Sequence, residues 1–193
     1  MYRAHLYGSD SVYIKRLRVN NMQTVLIRKS HQPLNKLALV GDSVIGCICA
    51  NNVDVIAMHG ARPDDVKKAL YKYDLRQYRA VAICVGGNAL SSFREREALS
   101  PKCVADEIQK LAKYIGLTAR VYVFGIIKRN QPKNINAKIA ELNAELLEVF
   151  KHSFIPVSKL SVGDICIDKI HLQKSGAAHF ISKVLPRFIN GNC

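Results

Sequence analysis

The sequence predicts an α/β protein in which a mainly parallel, five-stranded sheet lies between two layers of helices. Short apolar runs alternate along the chain with longer segments whose apolar residues recur at helical spacing. This alternation is typical of right-handed strand–helix–strand units. Most of the short runs are apolar at successive positions and no longer than a single strand, as expected for strands buried on both faces. We therefore predict a three-layer α/β/α sandwich.

The predicted elements follow one another from Leu37 onward. The strands are expected at residues 37–40, 53–58, 80–85, 121–127 and 154–157. The helices follow them in order, one ending at residue 50 and the others at 64–71, 101–114, 134–150 and 173–188. Pro101 marks the start of the third helix, in which Val104, Ile108 and Leu111 fall on one face. Together these elements make up a domain predicted over residues 36–193.

Residues 1–35 are predicted to form a basic extension ahead of that domain. Before Leu37 the chain contains seven basic residues and a single acidic residue. Two runs that favour β-structure, 11–19 and 22–29, are separated by Asn20 and Asn21, which is a hairpin signal. A basic β-ribbon or irregular arm could hold a phosphate backbone, and an edge hairpin that covers the sheet is the equal alternative. The arginine-rich, acid-poor start also resembles a mitochondrial transit peptide, but its strand-like pattern argues against an amphipathic helix.

The charge balance is the unusual bulk feature. The chain has 29 basic and 15 acidic residues, a formal net charge of +14, which favours nucleic acid, an anionic membrane surface or an acidic substrate as a partner. The simpler explanation of this positive charge is that it only keeps the protein soluble. No apolar run is long enough to span a bilayer or resembles a secretory signal. The six cysteines form neither a CxxC pair nor a Cys/His cluster, so we expect no metal and an intracellular location, cytoplasmic or nuclear rather than mitochondrial.

The loops that follow the predicted strands carry polar residues typical of acyl transfer. Because the carboxyl ends of parallel strands meet at one rim of a sheet, we expect Ser43, Asp168 and His171 to lie together. A serine hydroxyl becomes a good nucleophile when an imidazole removes its proton, and a carboxylate fixes the tautomer of that imidazole. We therefore predict Ser43 as the nucleophile, His171 as the base and Asp168 as the orienting carboxylate. Asp164 is an alternative orienting carboxylate.

The same rim offers hydrogen-bond donors for a developing oxyanion. The predicted donors are the backbone N–H groups of Ser43 and Gly60 and the side-chain amide of Asn88, because such donors must be in place before the charge develops. Asp42 and Ser43 are also favoured N-cap residues, so a purely capping role is the alternative interpretation of this turn. Basic residues that follow the strand ends are expected to draw an acidic or phosphate-bearing ligand toward the site. They are Arg62, Arg94, Arg96, Lys128, Arg129 and Lys133.

These motifs, in this order, resemble the sequence blocks of the SGNH (GDSL-type) hydrolases. Gly41–Val44 resembles the first block with its nucleophilic serine, and Gly60 falls where the second block has its oxyanion glycine. Gly86–Asn88 resembles the third block with its oxyanion asparagine, and Asp168–His171 is similar to the DxxH of the last block. In the third block Ala89 stands where the family usually has aspartate, a departure that affects the orientation of the asparagine before it.

The resemblance spans roughly residues 36–188 and implies the SGNH hydrolase fold, with a flavodoxin-like sheet. It also implies a serine esterase or deacetylase that needs no cofactor. The chain has no long apolar insertion to serve as an acyl channel, so short acyl groups such as acetyl are expected, carried by a small ester or acetylated substrate. Basic domains of this kind resemble the esterase domains in first-reading-frame proteins of LINE retrotransposons. The alternative function is therefore RNA or nucleic-acid binding on an SGNH scaffold with weak or no catalysis. The oligomeric state is left open.

Overall fold

The computed structural model describes residues 13–19, 23–29, 36–50, 53–91, 97–130 and 133–190. Its strands are β1 Tyr13–Val19, β2 Gln23–Lys29, β3 Leu37–Asp42, β4 Val53–Met58, β5 Ala80–Cys84, β6 Arg120–Phe124 and β7 Phe154–Ile155. Its α-helices are α1 Pro63–Leu70, α2 Pro101–Gly116, α3 Lys133–Phe150, α4 Lys174–His179 and α5 Leu185–Ile189.

All seven strands form one sheet in the order β1-β2-β4-β3-β5-β6-β7. The five strands from β3 to β7 are parallel to their neighbours within that group, whereas β1 and β2 are antiparallel. The predicted parallel sheet of five strands is therefore confirmed, and two further strands extend it at one edge.

Different helices cover the two faces of the sheet. On one face, residues such as Val40 and Ile83 pack against α1, α2 and α3. On the other face, residues such as Leu39 and Phe124 pack against the turn that follows β3 and against the helical segment at residues 174–189. This is the three-layer sandwich that the alternating sequence predicts.

The central strands are apolar because water reaches neither of their faces. Every residue of β3, β4 and β5 is buried. Two charged residues lie in these strands, Asp42 at the end of β3 and Asp54 in β4, with 3% and 2% of their surface exposed. The hydroxyl of Tyr78 donates a hydrogen bond to Asp54 Oδ2 at 2.9 Å, which provides this buried carboxylate with a partner.

Gly41 lies directly against the backbone of β5. A Cβ atom at this position would lie 1.9 Å from the carbonyl oxygen of Cys84, the residue that faces Gly41 in the register. Any other side chain would force the two strands apart. The packing of β3 against β5 therefore requires glycine at position 41, independently of any role of Asp42 and Ser43 in the site.

The element after β3 differs from the predicted helix that ends at residue 50. It is a single 3-10 turn at Ser43–Cys47, and the backbone of Ile48 is already extended. Glycine and β-branched residues such as Gly46 and Ile45 disfavour a helix, and Ile45 and Ile48 are instead fully buried in the core. Core packing replaces helical continuation here, so that part of the prediction is wrong.

The last predicted helix, 173–188, is interrupted. Helix α4 passes into a π-helical turn at Phe180–Val184 before α5 begins. Pro186 has no N–H to donate to the carbonyl of Ser182, and a turn of i to i+5 spacing accommodates that missing bond. The position of the helical segment was predicted, but its break at the proline was not.

The basic segment before β3 contributes a hairpin to the sheet. Strands β1 and β2 pair with each other, with Leu17 opposite Val25. Strand β2 also pairs with β4, with Leu26 opposite Ala57. The link predicted at Asn20 and Asn21 lies outside the described residues. The strand order leaves β1 at the edge of the sheet. Within the described ranges, no helix is both long and apolar enough to cross a membrane.

Candidate active site

Ser43 stands at the carboxyl end of β3, on a turn shaped by the residue before it. The carboxylate of Asp42 accepts a hydrogen bond from the backbone N–H of Val44 at 3.0 Å, so Asp42 caps the 3-10 turn. Asp42 is almost completely buried, with 3% of its surface exposed. Its capping role was the alternative interpretation from the sequence, and the structure shows that this role and the presentation of Ser43 occur together.

Asp168 organises the loop that carries His171. Its Oδ1 accepts hydrogen bonds from the backbone N–H groups of Ile170 and His171, both at 3.0 Å. Lys169, the residue after Asp168, takes a left-handed backbone conformation, with φ of 66°. The carbonyl oxygen of His171 accepts a hydrogen bond from the backbone N–H of Cys166. Such a local turn follows from the short spacing of the DxxH motif, because an aspartate readily bonds backbone groups two and three residues ahead.

The structure brings Ser43, His171 and Asp168 into one hydrogen-bonded chain. His171 Nδ1 lies 2.6 Å from Asp168 Oδ2, and His171 Nε2 lies 2.8 Å from Ser43 Oγ. Ser43 and His171 are 128 residues apart in the sequence, so only the fold can bring them together. The arrangement has the geometry that a base needs to remove the serine proton while a carboxylate orients the base.

The environment of Asp168 keeps its carboxyl group ionised. Partial burial on its own would raise the pKa of Asp168, but hydrogen bonds from the backbone N–H groups of His171 and Ile170 and from the His171 ring outweigh it and lower the pKa. An ionised carboxylate on Nδ1 favours the tautomer that leaves Nε2 free to accept a proton from Ser43.

The three predicted oxyanion donors lie in the loops after β3, β4 and β5, which are adjacent in the sheet. Gly60 has φ of 69°, a conformation that glycine adopts without strain. The side-chain nitrogen of Asn88 donates a hydrogen bond to the carbonyl oxygen of Ala61 at 3.2 Å, which ties the loop after β5 to the loop of Gly60. One of the two amide hydrogens of Asn88 suffices for that bond.

Two of the basic residues that are expected to draw an anionic ligand are buried. Arg62 has 5% and Arg129 has 4% of its surface exposed. The guanidinium of Arg62 donates to the carbonyl oxygen of Glu97 at 2.7 Å, and that of Arg129 donates to Asn88 Oδ1 at 3.0 Å. Both groups therefore bind protein atoms. Lys128 is exposed, while Arg94, Arg96 and the side chain of Lys133 lie outside the described part of the chain.

Asp42 and Arg129 form a buried pair of opposite charge beneath the site. Burial raises the pKa of Asp42 to about 6, an effect opposed by the N–H of Val44, by Arg129 and by His171. Burial lowers the pKa of Arg129, and the charge of Asp42 opposes that shift. Each charge thus offsets part of the desolvation cost of the other.

Asp164, the alternative orienting carboxylate, lies elsewhere. Its carboxylate accepts hydrogen bonds from the backbone and hydroxyl of Ser161 and pairs with His179 Nδ1 at 2.7 Å. It therefore holds the loop ahead of Asp168 against helix α4 and does not touch His171. Among the residues that the structure describes, no group of three or more potential ligand side chains could hold a metal ion.

Comparisons with known proteins identify the fold. No sequence model of a known family matches the chain, and no curated protein matches it either. Solved structures do match. A GDSL-like lipase from Bacteroides thetaiotaomicron superposes with a TM-score of 0.65 at 13% identity, over 82% of this chain and 89% of that chain. The fold is that of the SGNH (GDSL-type) hydrolases.

Two further solved structures support the same fold. A member of the lipolytic protein G-D-S-L family from Veillonella parvula has a TM-score of 0.65 at 12% identity, over 80% of this chain and 98% of that chain. A catalytic mutant of an acetylxylan esterase from Geobacillus stearothermophilus has a TM-score of 0.57 at 11% identity, over 78% of this chain and 92% of that chain. Identities this low establish a shared SGNH architecture, and the activity has to be argued from the site.

Proposed function

We propose that this protein is a serine hydrolase that cleaves short-chain carboxylic esters. The observation that carries the proposal is the hydrogen-bonded chain from Ser43 through His171 to Asp168 at the carboxyl rim of the sheet. Esterases and lipases with the same SGNH fold are among its structural neighbours, which raises the expectation of ester hydrolysis.

The proposed reaction has two halves. As Ser43 Oγ attacks the ester carbonyl, His171 Nε2 takes the hydroxyl proton and then gives it to the leaving alcohol, so that an acyl-serine forms as the ester bond breaks. Water then attacks the acyl-serine, His171 accepts a proton from that water, and the proton returns to Ser43 as the carboxylic acid leaves. Asp168 remains ionised throughout and stabilises the imidazolium.

The oxyanion of each tetrahedral intermediate is proposed to bind the donors of Ser43, Gly60 and Asn88. The loop of Asn88 is tied to that of Gly60 by the bond of Asn88 to Ala61, which holds these two donors in place relative to each other. Donors held in place before the charge develops cost no reorganisation during the reaction.

The preference for a short acyl group is proposed from the sequence and from one structural neighbour. The chain contains no long apolar insertion that could form an acyl channel. One solved structure with the same fold is that of an acetylxylan esterase, at 11% identity. A small acyl group such as acetyl requires no acyl channel.

The test is a series of 4-nitrophenyl esters of increasing acyl length. We expect the native protein to hydrolyse the acetate ester, with kcat/KM falling steeply toward the octanoate ester. Ser43→Ala should abolish the reaction, whereas Ser158→Ala, at an exposed serine, should not change it. Hydrolysis that survives Ser43→Ala would overturn the proposed mechanism, and a preference for octanoate would overturn the proposed substrate class.

A second candidate function, binding of RNA, is favoured by the basic edge strand. Three of the seven residues of β1 are basic, Lys15, Arg16 and Arg18, and the strand order places β1 at the sheet edge of a chain with a net charge of +14. Contacts to a phosphate backbone would make the affinity fall steeply with salt. Fluorescence anisotropy with a single-stranded RNA should show that salt dependence, weakened when the three residues are changed to glutamine. Binding that is unchanged by those substitutions would exclude β1 as the RNA contact.

A further inference from the structure

The side-chain amide of Asn88 is held at both of its ends. Its nitrogen donates to the Ala61 carbonyl at 3.2 Å, and its oxygen accepts from Arg129 Nη2 at 3.0 Å. An asparagine amide can rotate to exchange its oxygen and nitrogen, and its hydrogen-bond partners decide which orientation is present. A guanidinium can only donate, so its bond to the oxygen selects one orientation. In that orientation the second amide hydrogen is available to an oxyanion.

Arg129 is itself rigidly placed. Its backbone N–H and carbonyl both bond the side chain of Asn136 in α3, at 2.9 and 2.7 Å. Its guanidinium lies against the backbone of Gly87, where an added Cβ atom would be 2.7 Å from Nη2. The carboxylate of Asp42 offsets the buried charge. Helix α3 and the bare backbone before Asn88 thus fix the direction from which the guanidinium reaches the amide.

We propose that Arg129 is a positioning residue that holds the Asn88 amide with its nitrogen toward the oxyanion. The role rests on the proposed ester hydrolysis and adds to it a group that does not touch the substrate. It also explains how the site operates with Ala89 at the position where related sequence blocks have aspartate. Loss of Arg129 would remove one of the two bonds that fix this orientation and leave only the Ala61 carbonyl to hold the nitrogen in place. The amide would then be held less firmly as a donor to the oxyanion.

The same guanidinium connects two parts of the site. Asp42 caps the turn that presents Ser43. The charge of Arg129 acts on Asp42, and its guanidinium donates to Asn88. A lysine at position 129 would retain the charge near Asp42 but not the planar fork of donors that reaches Asn88. Arg129→Lys therefore tests the contact to Asn88 while sparing the buried charge pair.

The experiment is a double-mutant cycle on kcat for 4-nitrophenyl acetate. We expect Asn88→Ala to lower kcat about 10²- to 10³-fold, as for the loss of an oxyanion donor, and Arg129→Lys to lower it by roughly tenfold or more with little change in KM. If Arg129 acts through Asn88, the combined variant should be no slower than Asn88→Ala alone. Arg120→Lys makes the same change at an exposed residue at the opposite end of the sheet, and it should retain native kcat.

Three results would overturn the proposal. Native kcat in Arg129→Lys would show that the hydrogen bond from Arg129 to Asn88 does not contribute to catalysis. Losses that multiply in the combined variant would show that Arg129 acts independently of Asn88. A raised KM with unchanged kcat would identify Arg129 as a substrate contact.

A second readout does not depend on activity. The side-chain amide resonances of Asn88, identified by their absence from the spectrum of Asn88→Ala, should shift in Arg129→Lys and remain in place in Arg120→Lys. If the native protein hydrolyses no ester but these resonances shift, the positioning role stands and the proposed function fails. If hydrolysis is present and neither kcat nor the resonances respond to Arg129→Lys, the positioning role fails and the proposed function stands.

Discussion

Replacing Asp168 with asparagine separates the shape of the triad from its charge. Asp168 Oδ1 accepts two backbone hydrogen bonds at 3.0 Å, and Oδ2 lies 2.6 Å from His171 Nδ1. An asparagine retains one oxygen for the backbone bonds but turns its amide nitrogen toward Nδ1. Because two N–H groups cannot face each other, the imidazole would take the tautomer that carries its proton on Nε2. That nitrogen could no longer accept the proton of Ser43.

The expected loss in kcat is about 10⁴-fold, the size of the effect when the aspartate of a serine protease triad is changed to asparagine. In free energy this is about 5 kcal/mol of transition-state stabilisation, since each tenfold corresponds to about 1.4 kcal/mol. Stability should change little, because 41% of the Asp168 side chain is exposed and an asparagine can retain both backbone bonds.

The assay compares kcat for 4-nitrophenyl acetate with the midpoint of thermal unfolding. Asp74→Asn is the matched control, because Asp74 accepts the backbone N–H of Arg76 at 3.1 Å in the same i to i+2 geometry, and it is exposed. We expect the control to retain both native kcat and native stability. A folded Asp168→Asn protein with native kcat would refute the assignment of Asp168 as the orienting carboxylate.

Three further predictions concern stability. Gly41→Ala should lower the free energy of unfolding by about 3 kcal/mol or more in urea denaturation, because its Cβ would lie 1.9 Å from the Cys84 carbonyl oxygen; an unchanged midpoint would contradict the close approach of β3 and β5. Tyr78→Phe should cost about 1–3 kcal/mol in the same measurement, because it removes the 2.9 Å bond to the buried Asp54. Burial raises the pKa of Asp42 from an ordinary value of 3.8 to about 6. The stability that protonation of Asp42 provides is therefore complete below about pH 4 and is lost as the pH rises through about 6. The total loss in the free energy of unfolding is about 3 kcal/mol. The unfolding free energy of the native protein should therefore fall relative to that of Asp42→Asn across this window, and parallel curves would contradict the shift.

The parts of the site that the sequence predicted are those with local or repeated signals. Buried parallel strands leave continuous apolar runs, and polar residues at the ends of such runs must meet at one rim. Asp168 closes its turn with His171 through bonds to the backbone N–H groups two and three residues ahead, so the short DxxH motif is enough to predict it. The triad roles of these residues and of Ser43 stay predictions until activity is measured.

The role of Arg129 could not be predicted from local sequence. A basic residue after a strand end is usually solvated, and the sequence predicted Arg129 only as one of several basic residues that would draw an anionic ligand toward the site. Its burial depends on Asn88, which is 41 residues away, and on a compensating carboxylate at position 42. The one available signal was Ala89, whose departure from the expected aspartate left the orientation of Asn88 without an explanation.

The error in the secondary structure after Ser43 also comes from tertiary contacts that local sequence does not reveal. The run after Ser43 is apolar enough to be counted as a helix, but Ile45 and Ile48 pack into the core from a 3-10 turn and an extended segment. Periodicity in so short a run does not distinguish the two conformations. Tertiary packing decides between them.

The most direct test of the central claim is covalent labelling by a fluorophosphonate probe, with the modified residue identified by peptide mass. We predict that the native protein is labelled at Ser43 and that Ser43→Ala and His171→Ala are not, because removal of a triad serine or histidine lowers catalysis about a millionfold in the subtilisin triad. Labelling at another residue, or labelling that persists in His171→Ala, would contradict a working triad. A well-folded native protein that is not labelled at all would show that the hydrogen-bonded chain from Ser43 to Asp168 does not activate the serine.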